Sequence, residues 1–182
     1  MKQFIAALSA VAALMIIAAP ASAGTTAAGD SSVTADVVPT LEATFPADYG
    51  WGDLNAGVAG NESTEQTVNV KSNATWGVKT STDDAAGKLT EWDGGAYVAV
   101  TPMVLTNALT WKRSSLAGVP DLGTSYAAFS AVEALVIGSQ PVTADAGVNV
   151  GAKYQQVVSY GDFVAGANDY RILVNYSVQQ GF

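Results

Sequence analysis

Residues 153–182 read KYQQVVSYGDFVAGANDYRILVNYSVQQGF, and the fold class turns on them. Two rows of side chains recur there at every second position. Tyr154, Gln156, Val158 and Tyr160 form one row, with Lys153, Gln155, Val157 and Ser159 between them. Tyr170, Ile172, Val174, Tyr176 and Val178 form the other, with Arg171, Leu173, Asn175 and Ser177 between. A period of two sets one face on a core and the other toward water, as in a half-buried β-strand. The loop GDFVAGAND joins the rows, either as a hairpin or across two sheets. Val157 and Leu173 interrupt the outer rows and predict partial cover on that face.

The same alternation appears upstream, where Val68 and Val70 stand between Thr67, Asn69 and Lys71. Turn-forming clusters recur along the chain: NAGVAGNES, TDDAAGK, WDGG, AGVPDLG and TADAG. Short strands at this spacing predict an all-β fold, a single antiparallel β-sandwich (Ig-like or jelly-roll-like) over residues 33–182. Trp76, Tyr154, Val158, Ile172 and Val174 are its expected core. SYAAFSAVEAL, opening at Ser125, predicts a short helical turn at most. No helix–strand alternation exists, which argues against a nucleotide-binding α/β fold. VTADVVPTLEATF, residues 33–45, reads as an N-terminal strand. Pro39 cannot donate to a ladder, so this strand is expected at an edge or bulged.

The first 23 residues have the form of a secretory signal. Lys2 gives a positive start, Phe4–Ala19 is apolar, and Ala21-Ser22-Ala23 is a small-residue cleavage signature. The apolar run falls short of the roughly 20 residues a spanning helix needs. Cleavage after Ala23 leaves a small, polar, flexible leader over residues 24–32. No covalent anchoring motif appears at the C-terminal end. The expected location is outside the cell, secreted or on its surface.

Composition removes several chemistries. Eight basic residues face sixteen acidic ones, for a net charge of −8. Phosphate recognition needs clustered Lys and Arg, so nucleic acid is not an expected partner. The chain has neither His nor Cys. That rules out a Ser-His-Asp triad, a cysteine nucleophile and the usual zinc and copper ligands. Glycoside hydrolysis needs only two carboxylates, but the acidic residues here sit mostly in turn-like segments. No enzymatic activity is expected.

Loop carboxylates are the usual ligands of Ca²⁺. Asp162, Asn168 and Asp169 are the candidate metal set, with Asp83, Asp84 and Asp93 as a second group. Asp and Asn also favour turns on their own account. Trp76 and Trp111 read as core aromatics. Trp51 and Trp92 sit beside glycines in loops and are the candidates for stacking on a ligand. Asn61, Asn73 and Asn175 open N-x-[ST] sequons.

TVNVKSNATWGVKT, with YGWGDLNAG before it and AKYQQVVSYGDFVAGANDYRILVNYSV at the end, resembles secreted β-sandwich surface modules of bacteria and archaea. These are of the pilin-like or matrix-fibre type. The resemblance implies structural or adhesive work, sometimes with subunits joined by a donated strand. Two functional expectations follow. One is a structural subunit of a surface filament, pilus or extracellular matrix. It would associate with itself or with other surface proteins, Val33, Ala35 and Val37 being the strand-exchange residues. The other is a carbohydrate- or surface-ligand-binding sandwich with Trp51 and Trp92 as contacts.

Overall fold

A computed structural model describes residues 34–58, 60–121 and 124–181. The expected signal sequence (residues 1–23), the expected leader (24–32) and Val33 lie outside the described residues. The described chain is all-β. In order, the strands are β1 (Leu41–Thr44), β2 (Asn61–Glu62), β3 (Gln66–Ser72), β4 (Trp76–Thr82), β5 (Thr90–Trp92) and β6 (Thr110–Leu116). There follow β7 (Val119–Pro120), β8 (Ala127–Ala128), β9 (Ala134–Gln140), β10 (Val148–Gln156), β11 (Asp169–Arg171) and β12 (Val174–Gln180). A compact unit spans Val37–Phe182.

The main sheet runs β1-β3-β10-β6-β7, with β2 beside β10 and β8 beside β6. A second sheet runs β12-β4-β9, and β11 pairs with β5 alone. All these ladders are antiparallel. The alternation in the sequence explains the packing. Val68 and Val70 of β3 and Val150, Ala152 and Tyr154 of β10 turn inward from the main sheet. Trp76 and Val78 of β4 and Val136 and Ile137 of β9 enter the same core cluster from the other sheet. The indole N–H of Trp76 donates to the Pro141 carbonyl at 2.7 Å, so its one polar atom is satisfied inside the core.

The expected core holds in Trp76, Tyr154 and Val158, all buried. Ile172 and Val174 are only partly buried against it. The predicted strand through residues 170–178 is broken at Ile172–Leu173. Asp83 causes the break: its carboxylate accepts the Leu173 N–H at 2.9 Å, and its own N–H donates to the Leu173 carbonyl at 3.1 Å. That exchange sends β11 to β5 and β12 to β4. Of the two ways the final strands were expected to join, the crossing between sheets is the one seen. Val157 and Leu173 are exposed, so the cover predicted on that face is missing at both.

Two further expectations are corrected. The segment after Ser125 contains no helical turn; it forms β8 and leads into β9. Sheet pairing overrides a mildly helical composition there. The N-terminal strand begins only after Pro39, at Leu41. Ala35 and Val37 are outside any strand and exposed.

Candidate functional site

The two sheets close on each other unevenly. At one pole, Asn73 clamps the chain before β1. Its side-chain carbonyl accepts the Thr40 N–H at 2.7 Å, and its amide donates to the Val38 carbonyl at 2.8 Å. Gln180 at the end of β12 also donates to the Thr40 carbonyl, at 2.7 Å. At the other pole the sheets part. Beyond Thr44 the chain leaves β3 and crosses toward β12, where the Phe45 ring stacks on Tyr176 with centroids 6.4 Å apart. Residues 45–56 then form an irregular arch back to the segment just after β10, where Ala56 bridges Val158.

Beneath the arch is a cleft of about 1310 Å³. Leu54, Leu105, Ile172, Val174 and Tyr176 give it apolar walls, and Tyr154 lies at its floor. The hydroxyls of Tyr154 and Tyr176 hydrogen-bond to each other inside it. Burial raises the pKa of both phenols above the ordinary value, and for Tyr176 the neighbouring Tyr154 hydroxyl adds to the rise. The pair therefore stays protonated and serves as a structural contact.

The arrangement brings both candidate stacking tryptophans and the first candidate metal set to this one cleft. Trp51, Trp92, Asp162, Asn168 and Asp169 all line it. Their engagements differ. Asp162 accepts the Thr106 hydroxyl at 2.6 Å, the Thr106 N–H at 2.8 Å and the Ser159 N–H at 2.8 Å. Burial opposes its ionisation, but these donors outweigh burial and hold the carboxyl below its ordinary value. Asn168 donates to the buried Glu91 at 2.8 Å, and Glu91 also accepts the Met103 N–H at 3.0 Å. Asp169 is exposed on β11 opposite Trp92. Among the described residues, no group of three acidic side chains is placed to hold a metal ion. Asp84 and Asp93 close turns, accepting the N–H groups of Ala86 and Lys88 and of Gly95 and Ala96.

Trp92 ends β5 with its faces in use: Arg171 lies 4.4 Å over the ring and Tyr97 meets it edge-on. Trp51 is freer. Tyr49 packs edge-on against it, and its indole N–H is buried without an acceptor among the described residues. Of the sequons, Asn61 and Asn73 spend their amides on backbone groups, whereas Asn175 is exposed on β12.

The feature not expected from the sequence is the open edge of β12. β4 is its only ladder partner among the described residues. Val174, Tyr176 and Val178 face inward but are only half-buried, while Val78 and Val70 are fully buried. No protein-family model, curated protein or solved structure matches this chain. No helix among the described residues is long and apolar enough to cross a membrane.

Proposed function

We propose that this chain is a non-enzymatic structural subunit, exported and assembled into a surface filament, pilus or extracellular matrix. Its N-terminal segment joins it to the next subunit. The observation that carries this reading is the state of residues 34–38. They precede an edge strand, belong to no ladder among the described residues, and leave Val37 85% and Val38 70% exposed. An extended segment of this kind adds to another sheet through main-chain bonds, with alternate side chains filling pockets. The test is electron microscopy and sedimentation of the chain beginning at Gly24, beside one lacking residues 24–36. Fibres or oligomers from the first and monodisperse particles from the second are expected. Monodisperse full-length protein at high concentration refutes the proposal.

A second reading, a carbohydrate- or surface-ligand-binding module, draws on one specific observation: the unpartnered indole N–H of Trp51 at the cleft. Its check is a titration with soluble oligosaccharides followed by tryptophan fluorescence. A saturable change lost in Trp51→Phe and kept in Trp111→Phe supports it.

A further inference from the structure

We infer that the free edge of β12 and the cleft beside it form the acceptor site for the N-terminal segment of a second copy of this chain, so that subunits join head to tail. The inference rests on the assembly reading above and gives it a site and a direction.

An unpaired edge templates pairing with another chain, and soluble proteins blunt it with short strands, charge, proline, bulges or cover. Most edges here are blunted. β1 is 4 residues long, follows Pro39 and carries Glu42. The outer side of β6 is covered by β7 and β8. β9 shifts register against β4 on both sides of Val78, and Ser139 in it has a φ of 52°. Among the described residues, β12 has none of these devices. It reads VNYSVQQ, without charge or proline, and pairs with β4 over seven residues with no register shift.

The inner face beside that edge is equally open. Half-buried Val174 and Tyr176 border the cleft, and its volume of about 1310 Å³ exceeds the roughly 300–1,000 Å³ of small-molecule pockets. A row of side chains two residues apart on one added strand fits such a space. Phe163 at 76% and Val164 at 89% exposure extend an apolar rim at the same pole.

The occupant comes from the chain itself. Val33, Ala35 and Val37 are spaced two apart, with Thr34 and Asp36 between them. The Asn73 clamp fixes the backbone on both sides of Pro39 and leaves Val37 and Val38 in solvent. That exit lies at the Gln180 end of β12, whereas the cleft lies at the Val174 end, about 20 Å away at roughly 3.3 Å per residue. Donor and acceptor at opposite poles make a heterologous contact. Contacts of that type propagate into open filaments unless the rotation closes a ring.

The native chain has no cysteine, so single cysteines report contacts cleanly. A disulfide requires Cα atoms within about 4.4–6.8 Å, the spacing of paired strands. The experiment mixes the Asp36→Cys chain with the Asn175→Cys, Ser177→Cys or Gln179→Cys chain under mild oxidation. Asp145→Cys, in an exposed turn outside β12, is the control. Expected is an intermolecular disulfide to at least one β12 position, several-fold above the control and dependent on assembly. Assembly without any β12 cross-link overturns the acceptor site and leaves the assembly reading standing. An intramolecular bond in the Asp36→Cys/Asn175→Cys double variant overturns exchange between copies. No assembly of the unmodified chain overturns both.

Discussion

Val78 and Val178 face each other across the β4–β12 ladder and share the inner face. Val78 is fully buried, and Val178 is half-buried. Replacing each with Ala removes the same atoms at neighbouring ladder positions, so strand propensity nearly cancels and burial remains. Removing two buried methyl groups costs about 1.6 kcal/mol in transfer at about 0.8 per carbon. A cavity term raises this to about 2–3 kcal/mol where the surroundings are closed. Val78→Ala is therefore expected to cost about 2–3 kcal/mol, and Val178→Ala, with half its surface already in water, about 1 kcal/mol or less. Urea unfolding of the dilute, unassembled protein measures both, with midpoints compared at constant slope. Equal losses in the two variants refute the reasoning, because they require the inner face of β12 to be as covered as that of β4.

Glu62 is held at about 2 against an ordinary 4.5, first by the Lys153 ammonium and then by the Tyr126 hydroxyl. A lowered folded value means the unfolded chain takes up the proton first. This contribution is complete above pH 4.5 and is lost as pH falls toward 2, so the urea midpoint should fall across that window, and less steeply in Glu62→Gln. Because this cluster is partly exposed, added salt should shrink the difference. Gly87 has a φ of +67°, and an added Cβ would stand 2.2 Å from the Phe129 carbonyl oxygen. Gly87→Ala should lower stability by more than about 1 kcal/mol, the ordinary cost of a left-handed Ala, in the same unfolding assay. Trp76→Phe strands the Pro141 carbonyl and leaves a void, and an expected loss of about 2–4 kcal/mol would show in thermal unfolding.

What the sequence displays of this fold is its alternation. Val68, Val70, Tyr154 and Val158 are inward as their spacing requires, because period two is a local property of the strand. The break at Ile172–Leu173 is not local. It depends on Asp83, ninety residues away, which exchanges two bonds with Leu173. An uninterrupted row of alternating residues carries no trace of it. The cleft is hidden for a similar reason, since its arch at 45–56 and its wall at 162–176 meet only through the fold. Trp51 and Trp92 were legible as loop tryptophans beside glycines. Their shared cleft was not, nor was the Arg171 that covers one of them. That β12 has no second neighbour among the described residues is a fact of topology, set by strands far from it in sequence.

The bond from Gln180 to the Thr40 carbonyl has a consequence for connectivity. It places the two ends of the compact unit side by side at one pole, 2.7 Å apart at those atoms. Closing a short loop between neighbouring ends carries little entropic penalty. A few residues could therefore join Gly181 to Val37, and the chain could be reopened at the exposed Gly94–Gly95 turn between Trp92 and Tyr97. Such a circular permutant keeps every ladder of the sandwich and turns the loose segment before β1 into an internal tether, so that folding and the ability to donate a strand become separately inheritable properties of one sequence.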